Sequence, residues 1–134
     1  MTNLDFLCMQ AAQAMAAAPG KKNDKENLAA KALGVLLENG PYGMLLYLQT
    51  QKKKETQAIA LLYCSQLLEL LSKNGLRQYV PAPPSGSDFS SITVWLQNAA
   101  GDLNRYLFIK RLWQQALTYA RYHAKASDED AGSK

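Results

Sequence analysis

With 134 residues, 48% of them hydrophobic and 19% charged, the chain holds enough apolar side chain for one domain and one core, and too much for global disorder. Fifteen Lys and Arg against eleven Asp and Glu give +4; residues 128–134 hold three of the acids and one base, so the rest carries 14 bases against 8 acids, or +6. One His and two widely separated cysteines, Cys8 and Cys64, cannot supply a clustered zinc or iron–sulfur ligand set, so no metal and no cofactor is expected.

The elements read as helices throughout, because Val occurs only at 35, 80 and 94 and no β-branched alternation is sustained. A first helix spans Leu4 to Ala18 and stops at Pro19-Gly20. The charge order around it, Asp5 before and Lys21-Lys22 after, is the reverse of a secretory signal, and its alanines are too weakly apolar to cross a bilayer. The expected location is therefore cytoplasmic. Asn23 with Glu26 three residues on has the pattern of a capping box for the second helix, which Asn39-Gly40 ends. Pro41 is suited to open a short third helix carrying Met44, Leu45, Tyr47 and Leu48. Lys52-Lys53-Lys54 mark a turn, and a strongly apolar fourth helix runs from Glu55 to Lys73. Pro81, Pro83, Pro84 and Gly86 impose an irregular loop from Arg77 to Asp88. A short helix over Ser90 to Ala100 and a last one, capped by Asp102 and running to Ala126, complete a single helical domain over 1–126. The small, acidic residues 127–134 are expected to be a disordered tail.

The final helix is the most informative segment. At ~100° per residue, Tyr106, Ile109, Trp113, Ala116, Leu117, Ala120 and Ala124 share one face, while Lys110, Arg111, Arg121 and Lys125 share a different arc. An apolar stripe beside a basic one can pack inward and still present cations to phosphates, and the same pattern also fits a plain solvated helix face with spare Lys and Arg. Lys52, Lys53 and Lys54 form a second basic site, and Lys21, Lys22 and Lys25 a third, although runs of lysine in turns are also common as plain solvated loops. Tyr47, Tyr63 and Tyr106 sit at helical spacing beside leucines and belong to the core or its rim; Tyr119 and Tyr122 project away from the apolar stripe and suit a partner surface. Cys8 and Cys64 lie among apolar residues and read as small reduced core side chains, with a disulfide between them as the alternative. His123 has no nucleophile or carboxylate at motif spacing, and no phosphate-cradling, nucleophile-elbow or metalloprotease motif occurs. Nothing nominates a catalytic residue.

Three stretches carry a resemblance to a known family: Ala29 to Gln49 (AAKALGVLLENGPYGMLLYLQ), the Leu-rich helix from Ala58 to Leu71 leading through Lys73-Asn74-Gly75, and Tyr106 to Ala126, closing as ALTYARYHAKA. In their order and spacing they resemble the small α-helical subunit of type III-B CRISPR effector complexes, the Cmr complex small subunit. Pro41-Tyr42, Tyr122 and Lys125 depart from the residues common in that family. The resemblance implies an all-α bundle of five to six helices that is not an enzyme. It would stack head to tail with its own copies along the guide RNA–target RNA duplex, beside other Cmr subunits, and help hold the target strand. Sequence recognition would come from guide pairing, leaving this chain the backbone phosphates. The residues expected to meet RNA are Lys52, Lys53, Lys54, Lys110, Arg111, Arg121 and Lys125. The competing reading is a helical protein–protein adaptor that never touches nucleic acid and docks through Tyr119, Tyr122 and the Pro-rich loop.

Overall fold

The computed structural model describes residues 3–84 and 88–126. They form α1 (Leu4–Ala16), α2 (Lys22–Gln49), α3 (Lys54–Leu71), a short 3-10 turn (Asn74–Leu76), α4 (Phe89–Ala100) and α5 (Leu103–Ala126). The fold is an all-α bundle of five helices, with no strand among the described residues. Residues 127–134, expected to form a tail, lie outside the described residues.

Side-chain caps account for most starts. Asn3 accepts from the Phe6 N–H at 3.0 Å and opens α1, Asp88 accepts from the Ser90 N–H at 3.2 Å and opens α4, and Asp102 accepts from the Arg105 N–H at 3.2 Å and opens α5. The expected capping box of α2 does not form. Lys21 is the N-cap, with no side-chain cap bond, and Asn23 is already inside the helix. The reason lies one turn upstream, where Gly20 (φ 138°) redirects the chain and Ile59 packs so closely that a Cβ there would fall 2.9 Å from its Cδ1.

The expected break between a second and a third helix is present inside α2, whose range spans two helical segments that meet at a kink. Gly40, at φ 83° and ψ −179°, breaks the helical path inside α2, and Pro41, which has no N–H to lose, starts the next segment. Beyond the bend the last residues of α2 meet α3, with Gln49 Nε2 donating to Cys64 Sγ at 3.8 Å and Gln57 Nε2 donating to the Gln51 carbonyl at 2.8 Å.

The core follows the apolar stripes. Ile109, Trp113, Ala116, Leu117, Ala120 and Ala124 of α5 are all buried, as that stripe predicts, together with Leu36, Met44 and Leu45 of α2 and Tyr63, Leu67 and Leu71 of α3. Trp113 and Tyr63 satisfy their polar atoms inside it: Trp113 Nε1 donates to the Leu67 carbonyl at 2.9 Å and Tyr63 Oη to the Lys25 carbonyl at 2.9 Å. Tyr47 and Tyr106 are half-buried at the rim. Cys8 and Cys64 are free and buried, and burial raises both thiols, that of Cys8 to about 11 with a smaller contribution from the Asp5 charge, so neither is a reactive nucleophile.

Candidate nucleic-acid interface

The basic residues separate into those the fold consumes and those it leaves open. Lys25 is consumed. It is 3% exposed, and its ammonium donates to the carbonyls of Ala16 at 2.7 Å and Ala18 at 3.1 Å, the C-terminal end of α1. A cation there pairs with the negative end of the helix and occupies carbonyls that have no helical partner. Lys25 therefore leaves the Lys21-Lys22-Lys25 cluster, whose other two members stay at the surface. Arg77 acts similarly on α3, its guanidinium donating to the Leu71 carbonyl at 3.2 Å and to that of Ser72. Lys73 pairs with Glu69 at 3.8 Å, the one ion pair among the described residues.

The α5 cations stay open. Between Leu103 and Ala126 the helix contains Arg105, Lys110, Arg111, Arg121 and Lys125 and no Asp or Glu, and none of the five is ion-paired among the described residues. Arg111 and Lys125 are exposed, and Lys110 and Arg121 half-buried. Because 110, 121 and 125 are offset by whole turns, their side chains emerge on one arc, with Arg111 at its edge. The Arg121 guanidinium lies 5.5 Å from the centroid of the Tyr122 ring, and its Nε is buried without a hydrogen-bond partner. The same arc begins with two exposed leucines, Leu103 and Leu107.

Lys52, Lys53 and Lys54 are exposed at the α2–α3 turn. Their backbone is fastened by Gln57, whose amide donates to the Gln51 carbonyl at 2.8 Å and that of Lys52 at 3.3 Å, and by Thr56 Oγ1, which donates to the Lys53 carbonyl at 3.2 Å. The seven residues expected to meet RNA thus fall into two groups, the turn and the α5 arc, and no hydrogen bond or ion pair among the described residues joins them.

Of the two tyrosines assigned to a partner surface, Tyr122 is exposed and Tyr119 is not free. Tyr119 Oη donates to Asp5 Oδ1, an oxygen that also accepts from Gln115 Nε2, so this corner of α5 is fastened to α1. The hydrogen bond to Asp5 is the main reason the Tyr119 phenol is raised above its ordinary pKa. Sequence spacing gives no sign of this contact, which joins positions 114 residues apart. It also misses a cleft of about 390 Å3 where the bend of α2 meets α4 and the start of α5. The Gly40-Pro41 bend followed at once by a tyrosine is the signal that marks the place.

No group of three or more His, Cys, Asp or Glu that could hold a metal is found among the described residues, and no described helix is long and apolar enough to cross a membrane. Comparisons with protein-family models, curated proteins and solved structures return no match.

Proposed function

We propose that this protein is a non-catalytic RNA-binding structural subunit of a type III-B CRISPR (Cmr) effector complex, acting in the cytoplasm. It stacks with its own copies and other Cmr subunits along the guide RNA–target RNA duplex and helps hold the target strand. The observation that carries this reading is the charge of α5: five cations, no acid, and no intramolecular ion pair among the described residues. Like charges held at helical spacing repel one another by a few tenths of a kcal/mol per pair. A polyanion removes that repulsion and releases its own counterions, so phosphates are the complementary partner. Trp113 and Tyr63 are spent in the core, and what α5 offers a strand along its basic arc is charge for the backbone.

The test is a salt titration of single-stranded RNA binding by fluorescence anisotropy. Reversing charge with Lys110→Glu and Arg111→Glu weakens binding and flattens the dependence of log K on log salt by about 0.7 for each phosphate that is no longer bound. The helical circular-dichroism signal should persist, because Arg111 is exposed and Lys110 half-buried, with neither in an ion pair among the described residues. An unchanged slope in the double variant rejects the α5 arc as the RNA-binding surface.

A further inference from the structure

The cleft at the bend of α2 is lined by Tyr42, Thr93, Leu96, Gln97, Ala100 and Tyr106, in a volume of about 390 Å3. It exists because Gly40 takes a positive φ of 83°, which swings Pro41 and Tyr42 out of the helical path. Tyr106 holds the turned chain by accepting from the Tyr42 N–H at 3.3 Å. A Cβ on Gly40 would sit 3.5 Å from the same phenol oxygen, so the bend and the tyrosine are fitted to each other.

Its chemistry is unusual for this protein's surface, since no charged residue lines it among the described residues. A phosphate, carboxylate or metal ion entering it would lose water without gaining a counter-charge. The walls are instead two phenol rings and the aliphatic Leu96 and Ala100. The polar groups at its edge have capacity to spare. Tyr106 Oη accepts one hydrogen bond, and its own proton meets no acceptor among the described residues. The Gln97 amide makes no hydrogen bond among the described residues, and Thr93 Oγ1 donates to the Phe89 carbonyl at 2.9 Å while keeping acceptor capacity. Flat apolar walls with a donor–acceptor amide at the rim suit a planar neutral heteroaromatic ring that carries hydrogen-bonding edges.

One turn further along α5 stands Lys110, four residues from Tyr106 and on a neighbouring side of the helix. Four residues set the two side chains about 6 Å apart along the helix axis, comparable with the separation between a base and its own backbone phosphate. We propose that the cleft takes one unstacked nucleobase of a single-stranded RNA, with the adjoining phosphate on Lys110. The cleft supplies stacking and edge contacts, and the arc beyond it supplies charge, the combination that single-strand binders use. This inference rests on the RNA-binding reading above and adds that bases as well as phosphates are held.

The experiment compares the full chain's affinity for a fluorescein-labelled oligouridylate and for an abasic ribose–phosphate oligomer of equal length. One stacked base contributes roughly 5- to 150-fold in affinity, so the wild type prefers the base-bearing strand by a factor in that range. Tyr42→Ala and Gln97→Leu, both changes at exposed positions, erase the preference while leaving the abasic affinity unchanged. Lys110→Glu weakens both strands. Equal binding of the two strands by the wild type, or a preference surviving in Tyr42→Ala, overturns the base site and leaves phosphate binding standing. Binding of neither strand overturns the RNA reading and the base site together. As a second measurement, uridine shifts the Gln97 side-chain amide resonance in the isolated protein; a shift with N-acetyltryptophanamide and none with uridine overturns the assignment in favour of an aromatic side chain from a protein partner.

Discussion

Lys25→Met separates a cation that builds the fold from those left open at the surface. Methionine keeps the apolar stem and removes the ammonium, leaving the Ala16 and Ala18 carbonyls without the donors now 2.7 and 3.1 Å away. Hydrogen bonds from a charged donor contribute about 1.5–3 kcal/mol each, and a cation at a partly buried helix C-terminus up to about 2 kcal/mol. Against that, the variant no longer has to strip water from an ammonium, a saving of several kcal/mol. The balance is a loss of about 2–4 kcal/mol, which for a chain of this length lowers the melting temperature by roughly 7–14 °C. Urea unfolding followed by far-UV circular dichroism measures it, with an unchanged m-value showing that only stability moved. Amide exchange should quicken first in the last turn of α1 and the first of α2, and RNA affinity measured well below the melting point should not change. A loss under about 0.5 kcal/mol refutes the reasoning, because the ammonium would then be replaceable by water. Weaker RNA binding at full stability would refute it from the other side and return Lys25 to the surface cluster.

Two further outcomes test the bend and the core. Gly40→Ala forces a Cβ into a backbone conformation at φ 83° and ψ −179° that is essentially restricted to glycine, costing about 1–3 kcal/mol in the same urea assay; a neutral effect would mean that the chain straightens at no cost. The buried Cys8 thiol, raised from 9.0 to about 11, favours the folded state below its ordinary pKa, and that contribution disappears as pH rises from about 9 through about 11. Wild type should therefore lose more stability than Cys8→Ala over that interval, and superimposable alkaline curves would contradict the assignment.

The helices were legible in the sequence because local chemistry writes them. Asp102 caps α5 as expected, and the stripe from Ile109 to Ala124 is buried as its period requires. The α5 basic arc was legible for the same reason, since side chains that share a helix face are fixed by spacing alone. What spacing could not convey is where a long side chain goes once helices meet. Lys25 sits among other lysines and near acids in sequence, yet the turn at Pro19–Gly20 brings two carbonyls within its reach, and capping them outweighs hydration. The same turn displaced the start of α2, making Lys21 the cap and leaving the Asn23–Glu26 pair unused. Tyr119 looked outward on a helical wheel but meets Asp5 of α1, a neighbour that a wheel drawn for one helix omits. The cleft under Tyr42 likewise needs three elements at once, and no single stretch contains it.

Gln57, a side chain with no charge of its own, has the further consequence of making the triple lysine a stiff knuckle rather than a floppy tether. With the main chain at Gln51 and Lys52 stapled from the next helix, a phosphate arriving there immobilises only the methylene arms, about 0.5–1.5 kcal/mol apiece, and no longer has to freeze a wandering segment first. In the proposed role such a knuckle would grip weakly wherever a strand passed and let go as readily, a useful temper for a protein that would repeat along a strand many times its own length.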